Sequence, residues 1–494
     1  MNVKLQQIKS IPSVQQMDNL ANWIILLPHP LTTTVASQIP YGEILLARRQ
    51  RLGEKQSGNR LVELDLPNKQ SSHSAMACIK ADISSFDLLT MARKLVASHV
   101  DYNVKTIGIL VAGFKSKCTE QIAEAIIAAI LAANAEMPQF KQKSKSKTKL
   151  QKIYLYGIDI AHEFKRTFAE AEGNALARSL SILPPNKLTP AHYLRRVRAL
   201  AKNNKWKLSF YDTRELKKKK AGAFLAVAQG SPRQDAGIIH LQYTPKSAVN
   251  RKKLSLVGKG ICYDTGGTNL KSANYMYGMH EDMQGSAVAL GTLLALTRLK
   301  VNLQVECWMA IAMNHIGPKA YKPNDVITAS DGTTIEIVHT DAEGRMVLAD
   351  TLALASMRKP DLMIDYATLT GACIYSLGTA YSGIFTNKEK IIPTLIQAGR
   401  DSGERVWPFP MDKDFDDLIK SDVADVKQCS LESGTDHILA SRFLQRFVKN
   451  DTPWVHIDLS SSHRKGGLAH IPTETTGFGI RYTINLLLDK KIIQ

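Results

Sequence analysis

Two clusters of charged residues beside glycines constrain this chain more than any other part of its sequence. The first lies within residues 258–282, and the second is the run 339–345, His-Thr-Asp-Ala-Glu-Gly-Arg. The charged residues are Lys259, Asp264, Lys271 and Asp282 in the first cluster, and Asp341, Glu343 and Arg345 in the second. Between them, the apolar run 305–313 predicts a buried strand. Polar residues beside glycines at the ends of apolar strands are typical of an active site built on a sheet.

The length and composition are those of a globular protein with more than one domain. With 494 residues the chain is long enough for two or three domains, and 44% apolar and 22% charged residues are typical of a soluble protein. The N-terminus lacks the apolar stretch of a secretory signal. The most apolar helical run, 122–135, contains Glu124 and is too short to cross a bilayer. We therefore expect a cytoplasmic protein without a membrane partner.

The net charge of +19 fits either a nucleic-acid partner or a solvated basic surface. The densest basic runs, 141–149 and 217–220, have no interleaved aromatic residues on which bases could stack. The solvated surface is therefore the favoured interpretation, and DNA binding is expected to be weak.

Residues 1–160 predict an α/β domain without a recognisable catalytic cluster. Helical spacing of apolar residues covers 85–100 and 119–135. The Lys/Ser-rich segment 141–149 is too polar to pack and predicts a loop. Apolar runs typical of strands lie at 23–27, 61–64, 75–79, 106–111 and 154–158.

Residues 161–494 predict a second α/β domain, joined to the first by a connecting helix within 161–186. The helical pattern ends at Pro184 and Pro185, because proline cannot continue a helix. Thr189 and Pro190 then predict the N-cap and first turn of the next helix. Strands are predicted at 208–211, 237–241 and 253–257, so helices and strands alternate here as well.

The glycines of the first cluster do not form a nucleotide-binding loop. The pattern G-x-G-x-x-G requires a third glycine where this chain has Tyr263, and a P-loop requires Ser or Thr where Gly260 follows Lys259. A phosphate site is therefore a weak hypothesis.

The second cluster predicts a strand-to-helix junction. Asp341, Glu343 and Arg345 alternate, so on an extended segment all three side chains would point to one side. From Met346 to Met357 the apolar spacing becomes helical. Taken alone, this run fits a solvated polar turn equally well.

Taken together, the carboxylates of both clusters favour a metal site. Two divalent cations would neutralise the four carboxylates, and such oxygen ligands suit magnesium or manganese and are also accepted by zinc or cobalt. Lys259 could join them only as a neutral amine; without metal, a solvated surface lysine is the default for Lys259 and Lys271. The six cysteines lack C-x-x-C spacing, which argues for reduced thiols and against a cysteine-based zinc site. Lone histidines are more often structural, so three are left out: His280, His315 and His437.

These motifs are similar to those of the leucyl (cytosol) aminopeptidase family of two-metal aminopeptidases. The similarity rests on both clusters and extends from the Pro-Pro-Asn-Lys-Leu-Thr-Pro linker at 184–190, through Thr-Leu-Thr-Gly-Ala at 368–372, to Phe478-Gly479. The family resemblance implies a macro-like N-terminal α/β domain. It also implies a larger catalytic domain with a central, mostly parallel or mixed sheet flanked by helices.

The resemblance also implies a role for each residue. Asp264 and Glu343 would bridge two metals, Asp341 would complete one site, and Lys259 with Asp282 would complete the other. Lys271 would stay cationic and act as the electrophile beside the oxyanion, while Arg345 would hold a bicarbonate that serves as base. The residues implied to contact the substrate are Met279, His339, Thr368, Leu369 and Gly371.

The implied activity is hydrolysis of the N-terminal residue from peptides with a free N-terminus, by a metal-activated water. Zinc or manganese, or else magnesium or cobalt, would be the cofactors, and the resemblance implies a homo-hexamer. The alternative is a basic DNA-binding architectural protein on the same fold. An inactive scaffold is disfavoured because every ligand position is filled.

Three departures from the family pattern bear on side-chain preference. His339 stands where the family usually has asparagine, and Ser272 stands where proline usually follows the catalytic lysine. The run 428–434, Gln-Cys-Ser-Leu-Glu-Ser-Gly, replaces a loop expected to be rich in glycine and alanine.

Overall fold

The computed structural model describes residues 3–51, 61–99, 104–142, 149–245, 252–432 and 434–493. These residues form two compact units. The N-terminal unit comprises residues 1–171 together with 465–474, and the C-terminal unit comprises 172–464 and 475–494. The division at 160/161 expected from the sequence stays a prediction, and most of the loop predicted at 141–149 lies outside the described residues.

The N-terminal unit is built on a six-stranded sheet with the order β1-β6-β5-β2-β4-β3. All strand pairs are parallel except β3 with β4. The strands are β1 Lys4–Ile8, β2 Asn22–Pro28, β3 Val62–Asp65, β4 His73–Ile79, β5 Thr106–Val111 and β6 Lys152–Tyr156. The helices are α1 Val14–Asp18, α2 Thr33–Ala36, α3 Gly42–Gln50, α4 Ser85–Ala97 and α5 Ser116–Asn134, and α6 Lys165–Ser181 crosses the boundary between the units.

Strand β2 shows why this sheet lies in the centre of its unit. Its alternate residues pack into two different cores, with Ile24 and Leu26 on one face and Trp23, Ile25 and Leu27 on the other. A parallel sheet covered on both faces requires such a continuous apolar run. The predicted strands and the two longer helices are confirmed. The sequence missed β1 and the helices α1–α3.

The C-terminal unit contains an eight-stranded mixed sheet with the order β15-β14-β17-β13-β9-β10-β8-β7. Strands β11, β12 and β16 form a small separate sheet. The strands of this unit are β7 Lys207–Asp212, β8 Gly237–Tyr243, β9 Lys253–Asp264, β10 Gln304–Asn314, β11 Val326–Thr328, β12 Thr334–Glu336, β13 Leu362–Ala367, β14 Ser382–Thr386, β15 Val406–Pro408, β16 Val426–Lys427 and β17 Trp454–Asp458. The predicted fold class, with helices around a mixed sheet, is confirmed.

The helices of this unit are α7 Pro190–Asn204, α8 Thr213–Lys218, α9 Gly222–Ala228, α10 Ala273–Met276, α11 Gln284–Arg298, α12 Glu343–Ser356, α13 Gly371–Leu377, α14 Ile392–Ser402, α15 Asp436–Gln445 and α16 Ile480–Leu488. Short 3-10 helices cover Met279–Glu281, Glu389–Ile391 and Lys413–Ile419. The predicted cap of α7 is confirmed, because the Thr189 side chain accepts a hydrogen bond from the His192 N–H and Pro190 occupies the first turn.

Strand β9 is longer than predicted and continues through the glycines to Asp264. A Cβ atom on Gly258 would lie 2.4 Å from the Cα of Ser286 in α11. The glycine therefore lets α11 pack directly against the strand. Because side chains alternate along a strand, Lys259 points to the opposite face with Val257 and Ile261, which pack in the core that includes α12. The role of Gly258 is thus to allow close packing of helix α11 on strand β9.

Candidate metal centre

The candidate site is built where four mutually parallel strands end. Strand β9 ends at Asp264, which pairs in register with Asn314 at the end of β10. Strand β13 ends at Ala367, which pairs with Asp458 at the end of β17. The carboxyl ends of parallel strands are the usual edge for a ligand site in an α/β sheet.

Three carboxylates from two distant segments of the chain converge at this edge. One oxygen atom from each of Asp264, Asp341 and Glu343 lies within 4.8 Å of the others. Glu343 is the first residue of α12, so the predicted extended segment with alternating Asp341, Glu343 and Arg345 is wrong. The helix begins earlier than the apolar spacing indicated, and it directs Arg345 to a different partner, Asp436.

Two lysines lie between these carboxylates. Lys259 Nζ is 2.7 Å from Asp282 Oδ1 and 2.8 Å from Glu343 Oε1, and it donates to the Thr368 carbonyl oxygen at 2.9 Å. Lys271 Nζ is 3.0 Å from Asp264 Oδ2 and also contacts Asp341 Oδ1. Their side chains are only 4% and 14% exposed. Both are therefore buried in the cluster, and the solvated lysine expected by default is wrong.

Burial and mutual repulsion disfavour the ionised carboxylates. Burial, together with neighbouring carboxylates, raises the pKa of Glu343 and raises the pKa of Asp341 to about 7. Burial also raises the pKa of Asp282, although Lys259 opposes the shift. For Lys259 and Lys271, burial by itself lowers the pKa, but the surrounding carboxylates outweigh it and raise both values. The carboxylate cluster therefore stabilises positively charged groups that lie within it.

The residues present fit divalent cations. Four carboxylates face two ammonium groups, so negative charge remains. Asp282 Oδ2 and Glu343 Oε2 are buried and have no hydrogen-bond partner among the described residues. Leaving buried carboxylate oxygens without partners is unfavourable unless a cation binds them. A carboxylate-rich donor set with one amine suits magnesium, manganese, zinc or cobalt.

Neutral polar groups hold the carboxylates of the candidate site in place. Asn314 Nδ2 donates to Asp264 Oδ1 at 2.8 Å and to the Thr340 carbonyl oxygen at 3.0 Å. Thr340 Oγ1 donates to the Gly266 carbonyl oxygen, and the Gly266 N–H donates to Asp264 Oδ1. Gly266 has a φ of 86°, a conformation that favours glycine. Sequence reasoning missed Asn314, whose only signal was a polar residue at the end of the apolar run.

The segment that follows β13 is tied to the same site. Thr368 Oγ1 donates to Asp282 Oδ1 at 2.8 Å. The Leu369 N–H and Thr370 Oγ1 donate to the two oxygens of Asp458, at 3.1 and 2.7 Å. Asp458 was not predicted, yet its carboxylate orients this segment beside the metal centre.

The other residues predicted to contact substrate lie on nearby elements. Met279 begins the short helix that leads directly into Asp282. Gly371 begins α13, and a Cβ atom built on it would lie 3.7 Å from Cε2 of Tyr375. The three excluded histidines are absent from the carboxylate cluster found among the described residues.

His339 is held by backbone contacts. Its Nδ1 accepts a hydrogen bond from the Asp341 N–H at 3.3 Å, and its own N–H donates to Gln428 Oε1 at 3.2 Å. Burial lowers the pKa of His339, and the charge of Lys271 lowers it further. The ring is therefore neutral, with Nδ1 as an acceptor.

Arg345 does not present a free guanidinium. It is buried, and its Nη2 donates to both carboxylate oxygens of Asp436, each at 2.8 Å. Its Nη1 donates to the Gln428 carbonyl oxygen at 3.2 Å. The group expected to hold a bicarbonate ion thus already binds a carboxylate of the chain, so the residues present do not fit the added anion.

This arrangement defines a class: an α/β protein with a candidate carboxylate metal centre at the carboxyl ends of parallel strands. A family model described as "Cytosol aminopeptidase family, catalytic domain" matches residues 175–484. The chain therefore belongs to the cytosol aminopeptidase family, and it is a metal-dependent aminopeptidase. None of the helices in the described ranges is long and apolar enough to cross a membrane.

Individual relatives agree with this assignment. The chain is 34% identical over 381 residues to a probable cytosol aminopeptidase of Persephonella marina, covering 75% of each chain. It is also similar to a solved bottromycin maturation enzyme, BotP, in complex with Mn, at 27% identity and a TM-score of 0.82 over 95% of this chain and 99% of that one. A tomato leucine aminopeptidase mutant, 24% identical, shares the fold with a TM-score of 0.85 over 99% and 97%.

Proposed function

We propose that the enzyme removes the N-terminal residue from peptides with a free N-terminus, using two divalent cations. The proposed ligands are Lys259, Asp264, Asp282, Asp341 and Glu343. The observation that carries the proposal is the convergence of buried carboxylates with unpartnered oxygens around two lysines. Zinc or manganese are the proposed cations, and the Mn in the solved relative BotP supports manganese.

When bound, the cations supply Lewis-acid chemistry that activates water and polarises the scissile carbonyl group. Lys271 Nζ, held among the carboxylates, stays protonated and stabilises the negative charge that develops on the carbonyl oxygen. Asp458 fixes the segment that carries Thr368 and Leu369, so that this segment lines the pocket for the first side chain. Met279, His339 and Gly371 are proposed as further parts of that pocket.

The other proposals concern cellular location, oligomeric state, DNA binding and bicarbonate. The relatives are named cytosol aminopeptidases, which supports a cytoplasmic enzyme. The homo-hexamer stays a prediction from the resemblance. DNA binding is not favoured, because the chain matches a peptidase family and its basic runs 141–149 and 217–220 have no interleaved aromatic residues on which bases could stack. Bicarbonate at Arg345 also stays a prediction, and the contact with Asp436 weighs against it.

Metal removal tests the proposal. Exhaustive chelation should abolish hydrolysis of an aminoacyl-amide substrate, because it removes the cations proposed to activate the water and polarise the scissile carbonyl group. Zinc, manganese or cobalt should then restore the activity, with two ions per chain by elemental analysis. Asp341→Asn should recover only in part, since the amide is a weaker ligand. An N-acetylated substrate serves as a control and should not be cleaved. Full activity in a verified metal-free sample would end the proposal.

A further inference from the structure

A carboxylate of the chain occupies the one anion site expected beside the metal centre. Arg345 is 1% exposed and lies two residues beyond Glu343 in α12. Both oxygens of Asp436 lie 2.8 Å from Arg345 Nη2. The pair is separated by 91 residues in sequence, so the fold itself brings these two charges together.

The position of Asp436 in its helix adds to this contact. Asp436 is the first residue of α15, a helix of 10 residues without a side-chain cap. A negative charge in the first turn is favoured by the free N–H groups at a helix N-terminus. The carboxylate is therefore stabilised from two directions, by the helix end and by the guanidinium.

The same pair excludes an external anion. A buried guanidinium needs one compensating negative charge, and Asp436 supplies it. A second anion would have to displace this carboxylate or lie against its negative charge. Arg345 Nη1 also donates to the Gln428 carbonyl oxygen, which leaves Nε as the buried guanidinium nitrogen without a hydrogen-bond partner among the described residues.

The Asp436 carboxylate also lies near the candidate catalytic groups. Gln428 links the Arg345–Asp436 pair to the metal centre, because its carbonyl oxygen accepts from Arg345 Nη1 while its side chain accepts from the His339 N–H and donates to the Ala342 carbonyl oxygen. His339 is itself bonded to the backbone of Asp341. The pair of Arg345 and Asp436 therefore borders the metal centre, and its Asp436 side chain is 33% exposed.

We propose that Asp436 is the resident anion of Arg345 and replaces bicarbonate in this enzyme. The proposal rests on the proposed function. During hydrolysis, the oxygen of water bonds to the scissile carbonyl carbon while an Asp436 carboxylate oxygen takes one of the water's protons. That proton then passes to the nitrogen of the leaving amine as the C–N bond breaks. One water is consumed for each peptide bond, and the carboxylate is regenerated.

The test compares wild type, Asp436→Gly and Asp436→Asn in carbonate-free buffer, with and without added bicarbonate. Wild-type kcat should not change on addition. Asp436→Gly should lose about 10²-fold or more in kcat, the range for removing a general base, and should recover with bicarbonate because the glycine opens the space. Asp436→Asn should lose activity without recovery, since the amide fills that space. Stimulation of the wild type, or full activity of Asp436→Gly without bicarbonate, would overturn the proposal.

A binding measurement separates this inference from the proposed function. ¹³C-labelled bicarbonate, followed by NMR, should bind saturably to Asp436→Gly and not to the wild type, whether or not any peptide is cleaved. Binding to the wild type at the same affinity would refute the inference even if the aminopeptidase assay succeeds. Asp416→Gly is a matched control, because Asp416 pairs with Arg442 elsewhere in the same unit and should confer no bicarbonate response. Thermal melting confirms that each variant is folded.

Discussion

At the scale of single residues, the ammonium groups of two lysines hold the carboxylates of the metal centre in place. Lys259 Nζ lies within 2.8 Å of carboxylate oxygens from two different segments, and one of these residues, Glu343, is 1% exposed. The same ammonium group donates to the carbonyl oxygen of Thr368, the residue that follows β13. One amine therefore links three parts of the site before any cation binds.

Replacing this amine should weaken the metal-free protein and its metal binding together. In Lys259→Met, Asp282 and Glu343 lose their cation while they stay buried. We expect the free energy of unfolding of the metal-free protein to fall by about 3–5 kcal/mol, as for other buried pairs that lose one partner. Elemental analysis should show fewer ions per chain. Lys252→Met, in which an exposed pair with Asp361 is broken, should change stability by less than about 1 kcal/mol. Equal urea denaturation curves for Lys259→Met and wild type would contradict this role.

The contact of His339 predicts which substitutions its position tolerates. Asparagine places a side-chain oxygen where it can accept the N–H two residues further along, a turn that this residue type commonly forms. His339→Asn should therefore keep kcat/KM close to wild type. His339→Ala leaves the Asp341 N–H without this partner and should lose about 1–3 kcal/mol of transition-state stabilisation. Indistinguishable kcat/KM values for all three proteins would show that the imidazole does not position Asp341.

At the scale of elements, a buried ion pair joins two central strands of the larger sheet. Asp365 of β13 pairs in register with His456 of β17. The Asp365 carboxylate accepts hydrogen bonds from His456 Nδ1 at 2.7 Å and from Trp454 Nε1 at 2.6 Å. Both members of the pair are fully buried. The contact fixes β13, which leads into the segment at the metal centre.

This pair predicts a pH-dependent stability. Burial by itself lowers the pKa of His456, but Asp365 and, more weakly, Asp458 outweigh both burial and the charge of Arg345, so the pKa is raised. The stabilisation is fully present below the pKa of an unfolded histidine, about 6.5. It is lost as the pH rises through the higher folded value. The melting temperature of the C-terminal unit should therefore decline over that interval. His456→Gln should remove this part of the decline; an unchanged profile in His456→Gln would exclude the pair as its source.

Some helices and strands could be predicted from their own residues, and others could not. Strands β2 and β10 are mostly apolar runs of strand length, so apolar character alone located them. Strand β1, Lys-Leu-Gln-Gln-Ile, is a partly exposed strand with too few apolar residues for a pattern. Helix α3 begins after Tyr41, which has a positive φ and provides no side-chain cap, so its start had no sequence signal.

The site was predictable only where the charged residues belong to recognisable motifs. The carboxylates and lysines proposed as ligands stand in two such clusters, and the fold brings them together. Asp436 and Asp458 belong to neither cluster, because their roles depend on contacts between distant segments. The early start of α12 was also hidden, since alternation of charge fits a strand and the first turn of a helix equally well.

At the scale of the whole molecule, the N-terminal unit is completed by a late segment of the chain. Residues 465–474 belong to this unit, and Ala469 packs into its core. Arg93 of α4 donates to the carbonyl oxygens of Gly466 and Ile471. The segment therefore contributes both an apolar contact and hydrogen bonds to a unit whose other residues precede position 172.

A fragment of residues 1–171 should therefore be less stable than the same residues in the full chain. Without the segment, Ala469 is missing from the core and Arg93 loses two acceptors. Hydrogen exchange in α4 should be faster in the fragment, because fewer contacts oppose local opening. Joining residues 465–474 to the fragment through a flexible linker should restore part of the protection. Equal exchange in the two fragments would show that the segment adds no stability.

The late position of residues 465–474 in the chain also determines when the N-terminal unit can be completed during translation. Between Ala171 and Lys465, the ribosome adds the 293 residues 172–464. At about 5–20 residues per second, the first unit emerges about 15–60 s before its last part does. During that interval the core contact of Ala469 and the hydrogen bonds from Arg93 to this segment cannot form. The N-terminal unit therefore cannot be completed until the intervening part of the C-terminal unit has been synthesised.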